Sequence, residues 1–166
     1  MLNLIVRWLV FVHILAALTF FLAHGTSAAM TFQVRKETDF NRIRALLDLS
    51  WSTMIIMGVS FGIMGLTGLI MPFLIHLWGR IYIWLSIVLM VFVFMYMSLY
   101  NETHYKELRR MVDLPYMRGN KRLPAEAPSS PEEVARHLTK LNTTSLIVVG
   151  YLVPGIVLWL MVFKPF

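Results

Sequence analysis

Apolar positions gather in four long runs, residues 2–30, 50–77, 81–103 and 141–163, with polar stretches at 31–49 and 104–140 between the outer pairs. A bilayer core of about 30 Å is crossed by roughly 20 helical residues, and each run reaches that length. The pattern predicts an all-α membrane protein. Four spans with short or moderate connections fold most simply as an up-down-up-down bundle, a single domain with both termini on one side.

The first run carries two histidines, His13 and His24, no acidic residue, and one strong charge, Arg7. Eleven helical residues make about three turns, so the two imidazoles share a face roughly 16 Å apart, with Ala17 and Phe20 between them. Thr26, Ser27, Ala28 and Ala29 resemble a leader cleavage region. The segment before the apolar core is not basic and the core is long, so the run reads as a transmembrane helix. An imidazole in hydrocarbon is costly unless it faces the protein interior, a cavity or a bound group.

In the second run, Gly58, Gly62 and Gly65 fall on a narrow helical arc with Gly68 at its edge. Small residues at this spacing admit a second backbone or a flat macrocycle. His76 to Arg80 form a tight turn into the third run, whose Met90, Met95 and Met97 read as packing residues. Beyond it the helix continues as a polar stretch holding His104. Prolines 115, 124, 128 and 131 with Gly119 mark an irregular segment. Ser130, Pro131 and Glu133 then compose a capping box that starts a helix feeding the fourth run. Gly150, Pro154 and Gly155 predict a bend in that last span.

The segment 31–49 reads as a connector with an amphipathic turn, capped by Asp39 or Asn41 and carrying an Arg44–Asp48 pair. It holds four Lys or Arg, and 104–140 holds eight. The opposite side has only Arg7, Arg80 and Lys164. By the positive-inside rule both long loops are cytoplasmic and the termini lie outside. The tryptophans agree, with Trp8, Trp78, Trp84 and Trp159 near one boundary and Trp51 near the other.

Composition narrows the chemistry. Of 166 residues, 58% are hydrophobic and 14% charged, too apolar for a soluble fold of this size. The net charge of +6 is that of membrane topology and not of nucleic-acid binding. With no cysteine, disulfides, thiolate metal sites and ordinary c-type haem attachment are excluded. There is no phosphate cradle, no nucleophile with a partner base and no paired carboxylate at membrane depth, since Asp48 and Glu102 are interfacial. An enzyme of hydrolytic or transferase type is disfavoured.

Histidines on the first and third helices, which lie diagonally across a bundle, suit the two axial positions of b-type haem. His24 with His104 is the first ligand pair, although His24 sits about 6–9 Å deeper. His13 is the second candidate, with Met64, Met90 and Tyr151 nearer its depth than any histidine. Copper is the alternative metal, because thioether and imidazole suit its reduced ion, but Met95 and Met97 point to different faces. The second reading is a cofactor-free accessory subunit or homo-oligomer packed through the glycine face.

Phe11, Val12, His13, Ile14, Leu15, Ala16 and Ala17, then His24 and Gly25, then the stretch Arg42 to Ser50, resemble a family of bacterial four-helix integral membrane proteins, loosely copper-resistance-protein-D-like. The resemblance implies a bacterial cytoplasmic-membrane protein with His13 and His24 at matching positions. The reading that results is a lipid-embedded protein using first-helix histidines to hold a metal cofactor for electron transfer or sensing. It serves within or beside a respiratory or photosynthetic membrane, alone, as a homo-oligomer or with other membrane subunits.

Overall fold

The computed structural model describes residues 2–119 and 121–165, apart from the side chains of residues 101 and 102. The interfacial position expected for Glu102 therefore lies outside the described residues. The chain runs as α1 (Leu2–Val34), α2 (Phe40–Leu74), α3 (Ile81–Met111), a hairpin of β1 (Tyr116–Arg118) and β2 (Lys121–Leu123), α4 (Pro131–Thr139) and α5 (Thr143–Phe163). α1, α2, α3 and α5 are each long and apolar enough to span a membrane, which makes this an all-α membrane protein.

α1 packs along α2, and α3 packs against α5. These two pairs meet at the end carrying the long loops. There Val34, Ile43, Leu47, Leu108, Val112, Val134, Leu138 and Leu141 form one buried apolar cluster. The polar stretch 31–49 is accordingly mostly helix. Ile43 and Leu47, one turn apart, are the residues that pin it to this core, while its charges face outward. Asp39 caps α2 by accepting from the Asn41 amide at 2.8 Å. The Arg44–Asp48 pair does not form. Arg44 instead donates to the Val112 carbonyl (2.6 Å) and faces Asp113, and Asp48 pairs with Arg109.

The segment expected to be irregular contains the β1–β2 hairpin, with Tyr116 opposite Leu123 and Arg118 opposite Lys121. α4 begins with the expected capping box, Ser130 and Glu133 exchanging side-chain and backbone bonds. Its Val134 and Leu138 enter the loop-end core. At the other end Tyr82, Ile83 and Leu160 join α3 to α5 beside the short turn, where His76 adopts a left-handed conformation.

Two π-turns interrupt the spans, at Asn101–Tyr105 in α3 and Val148–Leu152 in α5. The second has a direct cause. Pro154 has no N–H and its ring crowds the carbonyl four residues back, that of Gly150, so regular α-bonding fails there. The Val153 amide reaches back to the Val148 carbonyl instead.

A candidate ligand cavity between the helix pairs

Between the two pairs lies a cavity of about 220 Å³. It is built from a stripe of α1 at positions 20, 24, 27 and 31, with facing residues of α2 and α3 and with Leu146 of α5. Antiparallel packing of α1 on α2 sorts the lining by depth. Phe20 meets Phe61 at 5.8 Å and Phe61 stacks on Phe94 at 5.1 Å, closing the apolar end. Ser27 and Ser50 hydroxyls lie 3.1 Å apart, and Thr31 hydrogen-bonds the Tyr105 hydroxyl, making the loop-proximal end polar. Met54, Met57 and Met97 fill the middle.

The π-turn of α3 shapes this wall. Tyr100 and Tyr105 are five residues apart, about 140° around a regular α-helix. The wider i→i+5 turn brings such residues toward one face, and both tyrosines line the cavity.

His24 is 7% exposed and stacks parallel to Phe20, their ring planes 8° apart. Its Nε2 is buried with no hydrogen-bond partner. The imidazole lies against the π-turn of α5, where a Cβ at Gly150 would fall 2.5 Å from Nε2 and 3.0 Å from the Met97 methyl. Only glycine leaves room for this ring. The Tyr100 hydroxyl is likewise buried and unpaired. Each such group costs about 1–3 kcal/mol unless something supplies a partner. Both residues line the cavity, while the His24 Nε2 itself is turned to the Gly150 backbone.

The sequence candidates divide. His24 and Gly58 line the cavity. His104 is not among its lining residues. It packs behind Tyr100, ring centroids 4.7 Å apart, its carbonyl accepts from His137 Nε2 (3.1 Å), and its Nδ1 is buried without a partner. His13 lies elsewhere and is satisfied. Its Nδ1 donates to the Met64 carbonyl at 3.0 Å, 3.0 Å from the Thr67 hydroxyl, with Gly68 making space for the ring. A Cβ on Gly58, Gly62 or Gly65 would meet nothing within 4 Å, so none of the described residues packs directly on these three positions.

Among the described residues no group of three or more His, Asp or Glu gathers to hold a metal. The donors that do gather around His24 are thioethers and hydroxyls. Sequence reasoning missed Tyr100, Tyr105, Ser27, Thr31, Ser50 and the three methionines. The i, i+4, i+7, i+11 stripe Phe20, His24, Ser27, Thr31 was the signal available for the α1 wall. No family model, curated protein or solved structure matches the chain.

Proposed function

We propose that this protein holds a flat, largely apolar redox group in the cavity beside His24, for electron transfer or sensing within the bilayer. The observation that carries the reading is a buried imidazole, His24, lining an aromatic-walled void at membrane depth. The bacterial cytoplasmic membrane, with both long loops facing the cytoplasm, is the setting that the distribution of basic residues favours.

b-type haem is the metal-bearing form of this reading. His24 would supply an axial imidazole, Phe20 and Phe61 would flank the ring, and the iron would supply one-electron chemistry. Ligand pockets for drug-sized groups run from about 300 to 1,000 Å³, so a whole macrocycle requires the α1–α2 and α3–α5 pairs to part at membrane depth. Their firm junction lies at the loop end, which leaves that movement open. Copper is the second metal form, supported by Met54, Met57 and Met97 lining the same cavity as His24.

The test is a spectrum of the lipid-purified protein before and after reduction, with metal content measured alongside. The expected result is a bound redox group lost in His24→Ala while the variant still inserts. A wild-type protein free of haem, copper and any reducible organic chromophore, expressed with ample haem and copper, overturns the reading.

A second reading has its own observation, the open face at Gly58, Gly62 and Gly65. It supports packing against another copy or another membrane subunit. Native mass measurement tests it. A complex that dissociates in Gly62→Leu supports it, and a monomer throughout removes it.

A further inference from the structure

The cavity has chemical features that its redox-group reading does not use. Among the described residues no Lys, Arg, Asp or Glu lines it. A charged head, whether phosphate, carboxylate or ammonium, would enter without a counter-ion, at a large desolvation cost. The polar groups present are neutral and able to donate: hydroxyls of Ser27, Thr31, Ser50, Ser98, Tyr100 and Tyr105, and the His24 imidazole. Two of these, Tyr100 and His24, have an unpaired buried atom.

The polarity is also directional. Hydroxyls crowd the loop-proximal end, and Phe20, Phe61 and Phe94 close the other. Gly58, Phe94 and Ser98 line the cavity and are also exposed on the outer surface, which places an opening toward lipid between α2 and α3. A ligand that matches is neutral, flat, ring-sized, rich in acceptor oxygens at one end and apolar at the other.

We infer that the cavity binds the head of an isoprenoid quinone, its ring between the α1 and α3 walls, a carbonyl oxygen accepting from Tyr100, and its tail leaving between α2 and α3. The inference rests on reading the cavity as a redox-ligand site and names the ligand class. The void of about 220 Å³ accommodates a single substituted ring without the helix pairs parting. The aromatic edges and methionine sulfurs provide the contacts a flat ring favours.

The experiment is retention of decylubiquinone by the full chain in lipid nanodiscs, measured against empty nanodiscs to remove partition into lipid. Wild type should retain the probe saturably at one per chain. Tyr100→Phe, which deletes only the hydroxyl, should weaken affinity about tenfold, the effect of losing roughly 1.4 kcal/mol. Gly58→Leu should reduce retention to the level of empty nanodiscs, because leucine fills the opening. No neighbour lies within 4 Å of a Cβ there, so the fold should keep its helix content and unfolding midpoint. Retention equal to empty nanodiscs in wild type, or unchanged in both variants, overturns the inference. If the purified wild type carries haem or copper but takes no quinone, the quinone assignment falls and the redox-group reading stands. If it carries none of the three, both fall.

Discussion

The loop end and the mid-membrane seam of this protein are built on opposite rules. At the loop end every demand of a buried cation is met. Arg109, 6% exposed, donates to the Pro115 and Leu47 carbonyls, pairs with Asp48 at 2.9 Å and lies 5.1 Å over the Trp51 ring. Around it the apolar cluster from α1, α2, α3 and α4 is closed. At the seam a histidine nitrogen and a tyrosine hydroxyl are left without partners beside a void. The loop end joins the two helix pairs, and the seam is where they are free to accept something else.

The comparison is broken most severely at Arg109. Arg109→Ala removes three charge-assisted contacts and the stem that packs against the core, and should cost about 3 kcal/mol. Asp48→Asn keeps the packing and a hydrogen bond and should cost less, because Asp48 is more than half exposed. Unfolding in mixed micelles at increasing SDS measures both. Equal and small effects would show that the loop end is not what holds the pairs together.

Next in size is Gly150→Ala. The new methyl would sit 2.5 Å from His24 Nε2, and the ring is held on its other face by Phe20. Overpacking of this kind costs about 1–3 kcal/mol. His24→Ala should relieve most of it in the double variant, since the closest clash is with that side chain and the Met97 methyl at 3.0 Å is the free end of a flexible chain. Additive effects in the cycle would mean that the seam does not depend on His24 for its packing.

A smaller effect is expected from Thr31→Val, which keeps the shape and deletes the hydroxyl bonded to Tyr105. Interhelical hydrogen bonds in membranes average below the water-soluble value, so a loss of about 0.6 kcal/mol is expected. A loss several times larger would mark the hydroxyl cluster as part of the structural core, and the contrast between the two regions would shrink.

How much of this was legible from the chain follows from what each feature depends on. The four spans rest on long apolar runs, which no other arrangement satisfies, and the capping box at Ser130 and Glu133 is a purely local signal. His24 stood out because an imidazole is conspicuous among apolar neighbours. Its partners did not. Tyr105 reaches the cavity through a π-turn that no periodicity of 3.6 anticipates, and Met97 and His24, from different helices, both close on the α5 backbone at Gly150. Arg44 and Asp48 have helical spacing, yet each finds a better partner on the segment from Arg109 to Asp113. Pairwise choices of that kind are decided by tertiary packing.

The mildest perturbation concerns the α1–α2 connection. The Glu37 carboxylate accepts from the Asp39 and Thr38 amides and faces Arg42. The Asp39 bond first, then the Thr38 bond, hold its carboxyl below the usual carboxylate range. A group whose folded pKa is depressed contributes stability that is present in full above its unfolded pKa, and that contribution disappears as pH falls through the folded value. Stability should therefore decline as the pH drops below the ordinary glutamate range, and Glu37→Gln should flatten part of that decline by lowering stability slightly at pH 7, with the two proteins converging in acid. Unfolding midpoints in SDS at pH 7, 5 and 3.5 provide the measurement. The same series on His24→Ala should keep the part of the acid decline that Glu37 carries, because the loop end and the seam carry separate groups. A decline lost in His24→Ala and kept in Glu37→Gln would reverse that assignment and place the acid-sensitive group at the seam.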